Sequence, residues 1–345
     1  MPVEPTSNRP RLRCRLRSLF AFRPRLRRSV LVPVALAAVF TAGTGGWYAW
    51  GGDARHDQAA DALGSLAGAL ELPWPTEGQA AAEVEGVGSL GSKGAQRPVP
   101  IASVTKVMTA YVVLGGHPLR PDEPGETVVA DQRAADESFS ATESTAPVVA
   151  GRAYTQRELL ELMLVPSGNN VARLLARWDA GDEREFVKKM NRAARRLGMD
   201  RTTYTGVAGM ESSTRSTAAD QLKLARAVMK DAAFRQVVAL PAITAPGTGT
   251  QIHNTNTLLG QDGVIGLKTG SSTPAGGNLM WAATQEVGGA QRLILGVVLH
   301  QRADTNPVQA KAAALEASRT LIAGIRAGLP RALASAATPV HGAGA

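Results

Sequence analysis

Two side chains one helical turn apart, Ser103 and Lys106, could together form a nucleophile and its base. They stand at the start of the segment SVTKVMTAYVVL, whose mostly apolar residues predict a buried helix. Residues three apart share one face of a helix. Because burial lowers the pKa of a lysine, Lys106 could take the proton of the Ser103 hydroxyl, and a helix start favours the developing negative charge. Taken alone, the motif leaves open a lysine that reaches the surface.

Two later groups of residues could complete the same site. Ser167-Gly168-Asn169 follows Pro166 and precedes VARLLARW, so it offers a hydroxyl and an amide at the start of a helix. Lys268-Thr269-Gly270 ends a strand flanked by glycines and offers a cation beside a hydroxyl. Singly, the first group is also typical of a helix cap, and the second of an edge-strand lysine before a turn. Their occurrence together, in this order after Ser103 and Lys106, predicts one catalytic centre.

Helices and strands must bring these three groups together. Apolar periodicity and capping residues predict helices from residue 103, from residue 155, over 183–197 and 218–229, and finally over about 308–325. Three stretches with glycine turns after Gly263 predict a strand meander, and short strands are predicted from Ala80. We therefore predict an α/β fold of the α+β type. Its N-terminal strands complete an antiparallel sheet that has helices on both faces.

The three motifs together resemble those of the serine DD-peptidase and β-lactamase superfamily, in which S-x-x-K, S-x-N and K-T-G occur in this order. The closer resemblance is to the low-molecular-weight D-alanyl-D-alanine carboxypeptidases, and it extends over about residues 78–325. The segments that agree are PIASVTKVMTAY, EST, LLELMLVPSGNNVA, FVKKMNRAARRLGM, STAADQLKLARAVM, NTNTLL and GLKTGSSTPAGGNLMWAA. The resemblance implies the DD-peptidase/β-lactamase-like transpeptidase fold.

This resemblance also implies a role for each catalytic residue. Ser103 would be the acylated nucleophile, Lys106 its general base, and Ser167 a relay of protons between Lys106 and the leaving amine. The implied reaction is acyl transfer through an acyl-enzyme that water releases, without a metal or an organic cofactor. Its substrate would be a peptidoglycan stem peptide ending in D-Ala-D-Ala, and β-lactam antibiotics would be covalent inhibitors.

Substrate binding is implied for residues beside the nucleophile. Asn169 would bind an amide of the peptide, and Lys268 with Thr269 would meet the terminal carboxylate. The charge of Lys268 would also lower the pKa of the lysine base. Gly270 and Ser271 complete the predicted binding set. The backbone amides of Ser271 and of the nucleophile would form the oxyanion hole.

Two departures from the family pattern concern contacts to substrate side chains. Ile265 replaces a frequent aspartate, and Thr205-Gly206-Val207-Ala208-Gly209 stands where Asn-Pro-His-Gly is usual. A β-lactamase is disfavoured, because no glutamate between Ser167 and Lys268 is followed four residues later by asparagine. A DD-endopeptidase of peptidoglycan cross-links and a non-catalytic sensor of penicillin or cell-wall peptide remain as alternatives.

The N-terminal residues predict a membrane anchor. Residues 1–28 contain nine arginines against the single acid Glu4, which accounts for nearly all of the net charge of +9. Residues 29–50 form an uncharged, mostly apolar run, and a helix of this length spans roughly 30 Å of hydrocarbon. The positive-inside rule places the arginine-rich side in the cytoplasm and the catalytic domain outside it. A cleaved signal peptide is the alternative.

The predicted organisation is a basic cytoplasmic tail (1–28), a single-pass signal-anchor helix (29–50), a flexible linker (51–76), the catalytic domain (77–326) and a disordered tail (327–345). The only cysteine, Cys14, lies in the basic tail, which excludes a disulfide or a cysteine nucleophile in the catalytic domain. Topology and anionic lipid are sufficient to explain the arginines. The cytoplasmic membrane is therefore an expected partner, and nucleic acid is not.

Overall fold

The centre of the fold is a five-stranded antiparallel sheet to which both ends of the described chain contribute. The computed structural model describes residues 70–337. With strands numbered along the chain, the sheet contains β1 Gln79–Val84, β2 Gly88–Lys93, β9 Val264–Ser272, β10 Gly276–Val287 and β11 Ala290–Gln301. Their order is β2-β1-β11-β10-β9, and every neighbouring pair is antiparallel. The N-terminal strands thus complete the C-terminal meander, as predicted, and β9 lies at one edge.

Short pairs of strands outside this sheet join segments of the loops to each other. They are β3 Val99–Pro100 with β6 Arg215–Ser216, β4 Thr127–Val129 with β5 Ala153–Thr155, and β7 Ala242–Thr244 with β8 Gln251–His253. All three pairs are antiparallel. They fix the loops that connect the helices of the middle of the chain.

Four of the predicted helices begin within two residues of their predicted starts, and the last one is longer than predicted. The helices are α1 Thr105–Gly116, α2 Gln132–Glu137, α3 Gln156–Leu164, α4 Asn169–Ala180, α5 Glu183–Arg196, α6 Ala218–Val228, α7 Ala232–Val238 and α8 Pro307–Ala337. The predicted capping box is present at α3, where the Thr155 side chain accepts from the Glu158 amide and Glu158 accepts from the Thr155 amide. Asp182 and Thr217 cap α5 and α6 in the same manner, by accepting an amide hydrogen of the first turn.

Neighbouring residues of β10 face two different cores, because side chains alternate along a strand. Met280 and Ala282 pack in the larger core, together with apolar residues of α1 and α3 to α7. Leu279 and Trp281 pack in a smaller core, which α8 covers. The predicted arrangement with helices on both faces of the sheet is confirmed.

The last helix is longer than predicted. The sequence predicts an end near residue 325 and a disordered tail from residue 327, whereas α8 continues to Ala337 and contains Pro330. Leu329 and Ala332 are buried and continue the stripe of Ile325 against the sheet. Burying a leucine contributes about 1.5–3 kcal/mol, which is comparable with the ~3 kcal/mol that an interior proline costs. Packing therefore offsets the proline, and the prediction for 327–337 is wrong.

The segment before β1 packs on the domain instead of forming a linker up to residue 76. Leu70, Leu72 and Trp74 pack against the smaller core. Gly328 of α8 allows this close approach, since a Cβ there would lie 2.6 Å from the Leu70 Cδ2. The packed part of the described chain therefore begins before residue 77, the predicted boundary.

The predicted membrane anchor, 29–50, lies outside the described residues, as do the basic tail 1–28 and Cys14. Over residues 70–337, no helix combines the length and the apolar character that a membrane span needs.

Candidate active site

The first motif lies where a short turn runs into α1. Ser103 is in the 3₁₀ turn Ala102–Val104, and Lys106 is the second residue of α1. The Nζ of Lys106 lies 2.8 Å from the Oγ of Ser103. Ala102 has a φ of 45°, a left-handed conformation that is uncommon for a residue with a Cβ and that is found at functional sites. The structure therefore brings the predicted nucleophile and its predicted base into direct contact.

Three oxygen atoms surround the amine of the fully buried Lys106 side chain. Besides the Ser103 Oγ, they are the Oδ1 of Asn169 at 2.5 Å and the backbone oxygen of Ala208 at 3.0 Å. The two carbonyl-type oxygens can only accept hydrogen bonds. A neutral Lys106 donates its two hydrogens to them, and its lone pair then points at the hydroxyl of Ser103.

The protonation of Lys106 is set by burial and by nearby charges. Burial and, after it, the positive charges of Lys268 and Arg173 lower the pKa of Lys106 well below its ordinary value. Glu143 and Glu211 act in the opposite direction. Because the lowering effects dominate, Lys106 loses its proton at a lower pH than a free lysine does. This is the state that a general base requires.

The third motif places a second buried lysine beside the first. Lys268 of β9 is 1% exposed, and its only hydrogen bond within residues 70–337 is a long one, 3.4 Å, to the Oγ1 of Thr255. The Oγ1 of Thr269 donates to the same oxygen at 2.7 Å. Burial, followed by the charge of Lys311, lowers the pKa of Lys268 to about 7. A cation with so few partners is suited to receive an anionic group.

Gly270 allows β9 to approach Ser103 closely. A Cβ at this position would lie 2.8 Å from the backbone oxygen of Ile101 and 3.0 Å from the amide nitrogen of Ser103. Any side chain here would therefore push the strand away from the serine. The next residue, Ser271, is half-buried on the same edge strand and pairs with Gly277 of β10. The strand that carries the third motif thus lies directly beside the Ser103 turn at Gly270.

Ser167 comes from the loop before α4 and has an unusual environment. Its φ is 71°, and its side chain is 3% exposed. The Oγ has no hydrogen-bond partner among the described residues, so no hydrogen bond joins it to Lys106. Leaving a buried hydroxyl unpaired costs about 1–3 kcal/mol. The predicted relay contact is not made in this state of the protein, and the hydroxyl remains available to another group.

Several residues of the site have no role assigned from the sequence. Glu143 accepts a hydrogen bond from the Nδ2 of Asn169 at 2.6 Å, and Arg173 pairs with it at 2.7 Å. Thr255 accepts from both Lys268 and Thr269. Glu143 and Thr255 lie in the segments EST and NTNTLL, which contribute to the family resemblance, so a signal existed without indicating a function.

Comparison with known proteins agrees with this geometry. The profile of the family described as D-alanyl-D-alanine carboxypeptidase matches residues 87–302. A D-alanyl-D-alanine carboxypeptidase of Streptomyces sp. strain K15 is 34% identical over 227 residues, which cover 61% of this chain and 76% of the relative. D-alanyl-D-alanine carboxypeptidase DacB2 of Mycobacterium tuberculosis is 34% identical over 246 residues, 69% of this chain and 80% of the relative.

A solved structure has the same fold. The crystal structure of the Streptomyces K15 DD-transpeptidase superposes with a TM-score of 0.60 at 31% identity, and the match covers 71% of this chain and 96% of that one. The predicted transpeptidase-type fold is therefore confirmed. The chain belongs to the Peptidase S11 family of serine D-alanyl-D-alanine carboxypeptidases.

Proposed function

We propose that Ser103 is the residue acylated when this carboxypeptidase removes the terminal D-alanine from a peptidoglycan stem peptide. The observation that supports this assignment is the contact of 2.8 Å between the Ser103 Oγ and the Nζ of the buried Lys106. Lys106 takes the hydroxyl proton while the Oγ bonds to the carbonyl carbon of the penultimate D-alanine. The peptide C–N bond then breaks, and the leaving amine of D-alanine takes up a proton.

The second half of the reaction repeats the proton transfers with water. Lys106, neutral again, removes a proton from a water molecule whose oxygen attacks the ester carbonyl. The ester bond to Ser103 breaks, and the Oγ recovers its proton from Lys106. In the first half, the buried Ser167 hydroxyl, which has no hydrogen-bond partner among the described residues, passes the proton from Lys106 to the leaving amine. In this scheme Ser167 gains its hydrogen bonds only when substrate is bound.

Substrate recognition uses the third motif and the free edge of β9. Lys268, Thr269 and Thr255 form a polar group that receives the terminal carboxylate. An extended peptide can add along β9, since this strand lies at the edge of the sheet. The amides of Ser103 and Ser271 are assigned to the oxyanion hole, and one hydrogen of the Asn169 amide remains for a substrate carbonyl.

Labelled penicillin tests the nucleophile directly. The full chain, purified in detergent, should form a stoichiometric adduct by intact mass, and Ser103→Ala should form none although it remains folded. D-alanine should be released from a stem peptide by the wild type alone. An adduct without release would favour a sensor, or an endopeptidase if cross-linked dimers are cut. Folded wild-type protein that forms no adduct would overturn the assignment of Ser103.

We also propose that the chain is a single-pass protein of the cytoplasmic membrane, with the catalytic domain outside the cytoplasm. The proposal rests on the uncharged run 29–50 and on the nine arginines that precede it. Peptidoglycan stem peptides lie on the outer side, which agrees with this orientation. The membrane is then the partner of the basic tail, and nucleic acid has no part in the function.

The lone cysteine of the chain provides a topology test. A membrane-impermeant thiol reagent applied to intact cells should leave Cys14 unlabelled until the cells are permeabilised. In a Cys14→Ser background, the exposed Val308→Cys should be labelled without permeabilisation. Labelling of Cys14 in intact cells, or a mature protein whose mass lacks residues 1–50, would contradict the anchored topology.

A further inference from the structure

A carboxylate that the catalytic scheme does not use lies directly behind the base. Glu143 belongs to the loop between α2 and β5, and its side chain is only 13% exposed. Its Oε2 accepts from the Asn169 Nδ2 at 2.6 Å. The opposite end of the same amide, the Oδ1, accepts from Lys106 at 2.5 Å. Glu143, Asn169, Lys106 and Ser103 thus form one continuous chain of hydrogen bonds.

The orientation of the Asn169 amide follows from its two neighbours. A carboxylate has only acceptors to offer and therefore needs the NH₂ end of the amide. Lys106 needs an acceptor to hold its amine, and the amide oxygen provides it. A rotated amide would place oxygen against the carboxylate, so that this contact would be lost. It would also place NH₂ against the amine, where it could bond only by occupying the lone pair that faces Ser103. Glu143 therefore determines which end of Asn169 faces Lys106.

The loop that carries Glu143 is fastened to the start of α4. The backbone N–H of Asn169 donates to the Ser144 backbone oxygen at 2.9 Å, and the backbone N–H of Ala146 donates to the Asn170 Oδ1 at 3.0 Å. Arg173 lies one helical turn after Asn169 and donates to both oxygens of Glu143, at 2.7 and 3.2 Å. The carboxylate is thus held by the loop on one side and by the guanidinium on the other.

We propose that Glu143 is a positioning residue for acylation: through the Asn169 amide it holds the amine of Lys106 against the hydroxyl of Ser103. The inference rests on the proposed function, because it requires Lys106 to act as the base. Glu143 makes no contact with the nucleophile itself. Its effect passes entirely through Asn169 and through its charge.

The charge of Glu143 gives the role a second signature. Burial works against ionisation, but hydrogen bonds from Arg173 and Asn169 hold the pKa of Glu143 below its ordinary value, so it is a carboxylate at neutral pH. Among the charged groups that act on Lys106, Lys268 and Arg173 lower its pKa, whereas Glu143 and Glu211 raise it. Neutralising Glu143 therefore lowers the pKa of Lys106 further and moves the acidic limb of the acylation profile to lower pH.

Two variants of Glu143 separate the effect of its hydrogen bond from the effect of its charge. A third variant, at another partner of Arg173, controls for a disturbed guanidinium. Glu143→Ala removes the hydrogen bond and the charge, while Glu143→Gln removes the charge and keeps an oxygen of similar reach. Glu137 also pairs with Arg173, at 3.1 Å, but makes no hydrogen bond to Asn169, so Glu137→Gln is the matched control. The measurement is the second-order rate constant of acylation by a fluorescent penicillin between pH 5 and pH 9. Full-length protein in detergent is used, with melting curves for each variant.

We expect the pH-independent rate constant of Glu143→Ala to be about ten- to hundredfold lower, since displacing a catalytic group by about 1 Å has this order of effect. Glu143→Gln should lose less and should shift the acidic limb to lower pH, and Glu137→Gln should match the wild type in both respects. If Glu143→Ala does not fold, the position of the acidic limb in the pH profile of Glu143→Gln decides the test. The positioning role alone would be overturned if the wild type acylates and both Glu143 variants have its rate constant and pH profile. It would also be overturned if Glu137→Gln lost as much of the acylation rate constant as the Glu143 variants do. A wild type that does not acylate would overturn the nucleophile as well.

Discussion

Two lysines are buried at the active site, and their surroundings differ. Lys106 has three oxygen partners within 3.0 Å, and one of them, Asn169, is itself fixed by Glu143. Among the described residues, Lys268 has a single hydrogen-bond partner, at 3.4 Å. Burial lowers the pKa of both amines. The first lysine is thus held in place by its hydrogen bonds, whereas the second lacks, within residues 70–337, the partners that a buried cation requires.

This difference matches what each lysine would do in catalysis. A base must lie at its proton donor throughout the reaction, and a network of hydrogen bonds prepared in advance achieves this. A carboxylate receptor must instead keep its donors free until the ligand replaces the missing partners. We therefore expect that removing the two amines changes the free energy of unfolding in opposite directions.

The largest effect is expected for Lys106→Met. Methionine has a similar length but cannot accept a proton, so acylation by penicillin should fall by about 10³-fold, within the range of lost general-base catalysis. The oxygens of Asn169 and Ala208 lose their donor, and the free energy of unfolding should decrease by about 1–3 kcal/mol. Acylation kinetics and thermal or urea unfolding check both parts. Acylation within tenfold of the wild type would exclude Lys106 as the base.

Lys268→Met should affect binding more than folding. Loss of a charged hydrogen-bond donor to the substrate carboxylate should lower kcat/KM for D-alanine release about 10- to 100-fold, chiefly through KM. The protein should at the same time become more stable, by about 1–3 kcal/mol at pH 6, because a poorly paired buried cation is removed. A less stable Lys268→Met would show that the amine has partners in solution and would end the contrast with Lys106.

The stability gain of Lys268→Met should depend on pH. The folded protein releases the proton of Lys268 at a pKa of about 7, whereas the unfolded chain keeps it up to about 10.5. Between these values the unfolded state binds more protons, so the free energy of unfolding of the wild type rises with pH. The advantage of Lys268→Met should therefore shrink from pH 7 towards pH 10.

The contrast between the two lysines could be predicted only in part from the sequence. Motif order and spacing predict that Ser103 and Lys106 share a helix face and that the Lys268 motif ends a strand. The two side chains do meet, although Ser103 lies in the 3₁₀ turn just before the helix. Lys268 lies in the middle of β9, which continues to Ser272, so the predicted strand end is wrong. Periodicity and caps also predict the helices and the completed sheet. These features depend on local spacing, which a sequence displays directly. The roles assigned to the site residues stay predictions until activity is measured.

The partners that distinguish the lysines depend on contacts between distant segments. Glu143 precedes Asn169 by 26 residues and lies in a loop without periodicity, so nothing local indicates that the two meet. Ala208 contributes a backbone oxygen, which no side-chain motif can reveal. The same limit explains the errors at the ends of the domain, where Leu70 and Leu329 are ordered by packing against the smaller core.

The smallest expected effect belongs to Thr255, the only protein partner of Lys268 in the described part of the chain. Thr255→Val keeps the shape of the side chain and removes the oxygen that accepts from Lys268 and Thr269. One neutral hydrogen bond contributes about 1 kcal/mol, so KM for the stem peptide should rise about fivefold, with little change in kcat. The exposed Thr257→Val, two residues further in the same loop, is the control and should leave KM unchanged. If Thr255→Val acted on acylation by penicillin as strongly as Lys106→Met does, the two lysines would form one network, and their division into base and receptor would fail.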